Sequence, residues 1–339
     1  MTVRVGINGF GRIGRNFLRA VAKSGADVEV VALNDLVSPE VNAHLLRYDS
    51  THGRYPGTVE ADEKGITVDG RLIRALAERE PAALPWGELG VEVVVESTGR
   101  FTKREAAAAH LGGGAKRVVI SAPANDADAT FVVGVNHHEF DPERHQVVSN
   151  ASCTTNCFVP MVKVLEDAFG VRTGLMTTVH AYTNDQEILD LARGDLRRAR
   201  AAAVNIIPSS TGAARSTGLV LSAMQGRLDG SSLRVPVPDG SITDFTAIVG
   251  AKVDKAAVNE AFAAAASSGP LSGVLLYEED PIVSTDIVGS PASCIFDAAL
   301  TMAMPADDQT SLVKVFGWYD NEWGYSNRLV DLVKIVGAA

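Results

Sequence analysis

Cys153 and His180 are the side chains whose types and surroundings point to covalent chemistry. Cys153 stands in Ser149-Asn150-Ala151-Ser152-Cys153-Thr154-Thr155-Asn156-Cys157, between a strand and a helix pattern that runs Thr154–Phe169, with Phe158, Val162, Leu165 and Phe169 on one face. That places the thiol at a helix start. Backbone N–H groups and the positive end of the dipole there lower a thiol pKa, so the spacing predicts a thiolate populated near neutral pH. His180 closes the strand pattern Arg172–Tyr182 and leads into a polar loop. A strand-end imidazole beside a helix-start thiol makes a nucleophile and its base. Cys157, one turn further on, and Cys294, in a strand-like run, are expected to be buried and inert. The other six histidines, His44, His52, His110, His137, His138 and His145, lie in contexts that predict surface helix or loop.

A second constellation lies near the N-terminus. Gly9-Phe10-Gly11-Arg12-Ile13-Gly14 follows a short apolar strand and opens an amphipathic helix, and Asp35 comes 21 positions after Gly14, at the end of the next strand. A glycine loop alone is weak evidence; in this strand–loop–helix setting it predicts a dinucleotide site. Gly9 permits the turn, Gly11 admits a pyrophosphate to the backbone, and Gly14 lets helix and strand pack closely. First-turn N–H groups hold the phosphates. Asp35 accepts from ribose hydroxyls and repels a 2′-phosphate, which favours NAD over NADP.

These residues need a scaffold. Strand patterns at Val3–Ile7, Val28–Leu33, Val91–Glu96, Arg117–Ser121 and Thr130–Val135 alternate with helix patterns at Arg15–Lys23, Glu40–Arg47 and Lys103–Leu111. Ile66–Ile73 alternates around Asp69-Gly70, a hairpin signal. Alternation of this kind predicts an α/β Rossmann-type dinucleotide-binding domain with a parallel sheet. After residue 150, a helix at Ala213–Met224 precedes long strand runs at Ser232–Val237, Ile242–Val253, Gly273–Tyr277, Ser293–Phe296 and Leu312–Trp318. Few helices separate them, so this half reads as an α+β catalytic domain with a large, mostly antiparallel sheet. The expected boundaries are 1–152 for the first domain, completed by a terminal helix over 320–339, and 153–319 for the second.

The chain has 339 residues and a formal net charge of −10 without a basic run, which argues against nucleic-acid or membrane-surface partners. No window approaches 18 consecutive apolar residues and the N-terminus enters a strand directly, so a cytoplasmic location is expected. Three cysteines without a CxxC pair or HxxxH partner predict neither a disulfide framework nor a metal site.

The segments Val5–Arg15, Ala151–Cys157, Ser209–Ala214 and Trp318–Tyr325 together resemble phosphorylating glyceraldehyde-3-phosphate dehydrogenase, in order and over nearly the whole chain. The cysteine segment is far more specific than the glycine loop. The resemblance implies that Cys153 attacks the aldehyde of glyceraldehyde 3-phosphate and that inorganic phosphate resolves the resulting thioester. It implies that Arg12, Ile13, Arg79, Ser121 and Asn321 contact the cofactor. It places Thr183 and Arg234 at the substrate phosphate, and Ser152, Thr154, Thr211 and Gly212 at the attacking phosphate, with Arg198 close to both. A homotetramer is implied, with the loop Thr183–Asn205 reaching a neighbouring subunit's cofactor. Two positions depart from the family pattern. Leu191-Ala192 replaces the Leu-Pro of NAD-preferring members, which opens the way to NADP, and Arg215 replaces a lysine beside Thr211-Gly212. An erythrose-4-phosphate dehydrogenase and a non-catalytic NAD-binding redox sensor are the alternative readings.

Overall fold

A computed structural model describes residues 2–338 and divides into two compact units. Among the described residues the first comprises 2–133, 137–152 and 326–338, and the second comprises 134–136 and 153–325. Residues 320–325 fall in the second unit, and the rest of the terminal segment in the first.

The first unit carries a nine-stranded sheet. Its strands are β1 (Val3–Asn8), β2 (Val28–Asn34), β3 (Val59–Asp62), β4 (Gly65–Val68), β5 (Arg71–Leu76), β6 (Val93–Glu96), β7 (Arg117–Ile120), β8 (Ala129–Thr130) and β9 (Val147–Ser149), in the order β3-β4-β5-β2-β1-β6-β7-β9-β8. All pairs from β5 to β8 across the sheet are parallel; only β3-β4 and β4-β5 are antiparallel. The β4-β5 turn is Asp69-Gly70 with φ of 50° and 79°, the positive pair a two-residue hairpin requires. Helices α1 (Arg12–Ser24), α2 (Pro39–Arg47) and α3 (Arg104–Gly112) supply the crossovers. Phe17, Leu18 and Val21 form the buried stripe of α1, as the 3.6-residue period requires.

The strand expected over Thr130–Val135 stops at Thr130. The chain turns over 133–136, where Gly134 has a φ of +89°.

The second unit has eight strands: β10 (Val171–Ala181), β11 (Ile207–Ser210), β12 (Leu228–Val235), β13 (Ser241–Val249), β14 (Leu275–Glu278), β15 (Cys294–Asp297), β16 (Met302–Pro305) and β17 (Ser311–Tyr319). The order is β11-β12-β10-β13-β17-β15-β14, with β16 on β17. Two pairs, β10-β12 and β14-β15, are parallel, and the rest are antiparallel. Both β13 and β17 alternate buried and half-buried residues, a sheet with one face in the core.

Helix α4 (Cys153–Phe169) packs on that face, with Phe158 edge-on to Phe245 at 4.8 Å. Gly317 allows the approach: a Cβ there would lie 2.6 Å from both Cys294 Sγ and Met161 Sδ. Helix α6 (Lys255–Ser267) had no counterpart in the sequence pattern because its face is mostly alanine.

The helix expected over Ala213–Met224 is broken. Only α5 (Ala213–Ser216) is α-helical, followed by 3₁₀ turns at Thr217–Leu219 and Ser222–Met224. The Thr217 hydroxyl donates back to the Ala213 carbonyl, and Gly218 follows it; both weaken helix propagation. The last helix, α7, spans Trp323–Gly337. No helix among the described residues is long and apolar enough to cross a membrane.

Candidate active site

Cys153 is the first residue of α4, and His180 is the penultimate residue of β10. The β10-α4 packing sets Cys153 Sγ 3.4 Å from His180 Nε2. The imidazole is buried, edge-on to the Tyr319 ring at 5.9 Å. Its Nδ1 is 2.7 Å from the Ala181 carbonyl oxygen, which only accepts, so Nδ1 carries the hydrogen. Arg234 Nη1 stands 3.0 Å from the same nitrogen, but its hydrogens have acceptors in Ala181 O at 3.1 Å and Thr183 Oγ1 at 3.2 Å. Nε2 therefore turns its lone pair toward the thiol, the tautomer a general base needs.

The expectation of a thiolate standing ready near neutral pH is corrected here. Burial pushes the Cys153 thiol up to about 11, against the opposing pull of Arg234 and of the Thr154 backbone N–H. Burial, with Arg234 adding to it, pushes His180 down to about 4. Either charge alone is disfavoured. Passing the proton from Sγ to Nε2 creates both charges together, 3.4 Å apart, where each compensates the other. The arrangement thus supports a proton transfer that accompanies attack.

Two arginines converge beside this pair. Arg198 Nη1 is 3.1 Å and Arg234 Nη2 3.7 Å from Asp185 Oδ2. Thr183 Oγ1 also donates to Asp185. Asp185, absent from the sequence reading, thus occupies the centre of an anion-attracting set made from β12 and the loop after β10. Arg198 is half-buried and also faces Asp195 at 3.5 Å.

Beside the same pair, the Tyr319 hydroxyl lies 2.9 Å from Thr154 Oγ1 and 2.8 Å from Thr178 Oγ1. Thr211 Oγ1 accepts from the Ala213 N–H, capping the turn in which Gly212 lies. Ser152 precedes Cys153 in the chain. Arg215 does not shape that turn: its side chain is exposed and faces Asp229 at 3.8 Å. Asn321 Oδ1 accepts from Ser241 Oγ at 2.8 Å, which leaves the Asn321 Nδ2 as the donor to offer.

In the first unit a cleft of about 540 Å³ opens at the carboxyl ends of β1, β2 and β6, lined in part by Gly9, Gly11, Asp35 and Arg79. Such a crevice is where parallel α/β sheets bind ligands. Gly9 has a φ of +90°, and a Cβ on it would lie 2.7 Å from the Thr98 nitrogen. A Cβ on Gly14 would lie 2.3 Å from the Gly9 carbonyl oxygen. Gly11 borders open space and offers no side chain to cap the helix. Asp35 Oδ2 accepts from the Phe10 N–H at 2.8 Å, tying the acidic residue to the glycine turn. Arg12 pairs with Asp49, and this with backbone N–H groups of Thr51 and His52 holds the Asp49 carboxyl down to about 2 although burial opposes it. The glycine turn, the open helix start and the carboxylate fit a dinucleotide. Arg12 and Ile13 belong to the first turn of α1; Ser121 follows β7, its N–H bonded to the Glu96 carbonyl.

One histidine expectation is corrected. His110 is fully buried, with Nδ1 accepting from Trp86 Nε1 at 3.0 Å and Nε2 3.1 Å from Glu96.

Comparison with known proteins decides the family. The profile described as "Glyceraldehyde 3-phosphate dehydrogenase, NAD binding domain" matches residues 3–104, and the corresponding "C-terminal domain" profile matches residues 152–321. The chain belongs to the glyceraldehyde 3-phosphate dehydrogenase family. Members named glyceraldehyde-3-phosphate dehydrogenase include one from Streptomyces coelicolor, 60% identical over 99% of both chains, and one from Mycobacterium bovis, 57% identical over 99% of both. A Bacillus cereus relative, glyceraldehyde-3-phosphate dehydrogenase 1, is 56% identical over 97% of both. This family membership covers both units, each with the fold its pattern predicted.

Proposed function

We propose that this chain is a phosphorylating glyceraldehyde-3-phosphate dehydrogenase that uses NAD, in the cytoplasm and in glycolysis. The observation that carries the reading is the 3.4 Å approach of Cys153 Sγ to the accepting nitrogen of His180. Cys153 adds through sulfur to the aldehyde carbon as its proton passes to His180 Nε2. His180 passes that proton on to the carbonyl oxygen, which gives the neutral hemithioacetal and leaves Nε2 free again as a base. His180 then removes the proton of that hydroxyl as hydride departs, leaving an acyl thioester. NAD, when bound, accepts the hydride; Gly9, Gly11, Arg12, Ile13, Gly14, Asp35, Arg79, Ser121 and Asn321 would hold it. The Cys153 backbone N–H, at the open end of α4, stabilises the oxyanion.

Thr183 and Arg234 bind the substrate phosphate. Ser152, Thr154, Thr211 and Gly212 bind inorganic phosphate, and Arg198 serves both. A phosphate dianion competes with Asp185 for the two guanidinium groups, which grip it through several donors. Attack of an oxygen of the bound inorganic phosphate on the thioester carbon breaks the C–S bond and releases 1,3-bisphosphoglycerate, and the departing sulfur takes back the proton held by His180, which restores the Cys153 thiol.

The proposed homotetramer is supported by the loop between β10 and β11, where Ile188, Leu189, Leu196 and Val204 are all three-quarters or more exposed. Large apolar side chains left this exposed within one loop are expected to be covered by another subunit. The test is NADH formation from glyceraldehyde 3-phosphate, which must require phosphate. Product formation in its absence at an equal rate would reject the phosphorylating reaction.

A further inference from the structure

A carboxylate buried under the dinucleotide cleft has no role in the chemistry above. Glu96, the last residue of β6, is 2% exposed. Burying a charge costs several kcal/mol unless its hydrogen-bonding capacity is filled. Its Oε2 takes a hydrogen from Asn8 Nδ2 at 2.6 Å and faces His110 Nε2 at 3.1 Å. Its Oε1 accepts from the Thr98 N–H at 2.8 Å and from the Thr98 hydroxyl.

The polarity of this network is unambiguous. Trp86 Nε1–H can only donate, so His110 Nδ1 accepts and His110 Nε2–H donates to Glu96. Asn8 gives its amide hydrogen to Glu96, and its Oδ1 accepts from Asn34 Nδ2 at 2.7 Å. Asn34 in turn exchanges two hydrogen bonds with the Glu78 backbone, at 2.7 and 2.8 Å. Asn8, Asn34, Glu78 and Thr98 all line the cleft. The Ser97–Thr98 peptide is also the surface against which Gly9 turns.

We infer that Glu96 is a positioning residue for cofactor binding: its four-donor carboxylate sets the Asn8 and Thr98 walls of the cleft in register with the glycine turn. This inference rests on the reading of the cleft as a dinucleotide site. A glutamine has the same shape but cannot substitute. Whichever way its amide turns, an NH₂ group faces donors, either Asn8 and His110 or the Thr98 N–H.

The test compares wild type with Glu96→Gln. NAD affinity is measured by titration calorimetry, alongside kcat at saturating NAD and KM for the aldehyde. The expected result is NAD binding weakened about tenfold, from the cost of unpaired buried polar groups, with kcat and the aldehyde KM within twofold of wild type. Equal NAD affinity in a folded Glu96→Gln enzyme overturns the inference while leaving the cofactor reading intact. Wild type that binds no NAD overturns the cofactor reading first. Should Glu96→Gln fail to fold, ¹⁵N-histidine NMR of wild type decides. His110 must be the Nε2–H tautomer and its resonance must move on NAD addition. A still resonance or the Nδ1–H tautomer contradicts the inference.

Discussion

The Nδ1 atom of His180 lies 2.7 Å from the carbonyl oxygen of Ala181, and this contact between chain neighbours makes Nε2 the basic nitrogen facing Cys153. The acid–base chemistry follows from it, because a ring in the other tautomer would point a hydrogen at the sulfur. Replacing His180 with Asn removes the base while keeping a polar side chain. The expected result is a loss of kcat of about 10²- to 10⁴-fold, with NAD affinity unchanged. Steady-state kinetics and NAD titration check it.

The depressed pKa of His180 also makes stability depend on pH. Its ordinary value is 6.5 and its folded value about 4, so the unfolded chain binds more protons between these limits. The buried neutral ring therefore adds stability above pH 6.5, and this is lost as pH falls through about 4. The full contribution is about 3 kcal/mol. Thermal melting across pH 4 to 7 should fall more steeply in wild type than in His180→Asn. Parallel curves would contradict the assignment.

Arg234 donates to both Ala181 O and Thr183 Oγ1, and its other terminal nitrogen approaches Asp185. Substituting Arg234 with Leu should lower kcat/KM for glyceraldehyde 3-phosphate by about 10²-fold, since a charge-assisted grip on phosphate is lost. Activity toward an aldehyde lacking the phosphate should change far less. A uniform loss on both aldehydes would assign Arg234 to holding His180 instead.

Asp35 lines the cleft of the first unit, and its bond to the Phe10 N–H fixes the direction of its carboxylate. Asp35→Asn should raise KM for NAD and lower KM for NADP, each by about fivefold to tenfold, as charge repulsion with a 2′-phosphate disappears. An unchanged NADP-to-NAD ratio of kcat/KM would move discrimination to other residues, with Leu191-Ala192 as the next place to look.

Much of this site was legible because its signals are local. Gly9, Gly14 and Asp35 are read from spacing around one strand–loop–helix unit, and the helix start at Cys153 and strand end at His180 from periodicity on either side. What was not legible depends on tertiary surroundings. The charge states of Cys153 and His180 are set by burial, which outweighs the helix-start effect that sequence position suggested. His110 reads as an ordinary residue of an alanine-rich helix until Trp86 and Glu96 close over it. Asp185 lies in a polar loop, and only folding brings it between Arg198 and Arg234. The break after Ser216 comes from Thr217 and Gly218, whose local preferences override an apolar pattern.

The most direct measurement is phosphate-dependent NADH formation from glyceraldehyde 3-phosphate by wild type and Cys153→Ser, with the acyl-enzyme trapped by acid quench and located by mass spectrometry. Covalent catalysis at the start of α4 predicts a phosphate-dependent rate, an acyl adduct on Cys153, and loss of both in the variant. Substantial turnover by Cys153→Ser, or an adduct on Cys157 or Cys294, would contradict it.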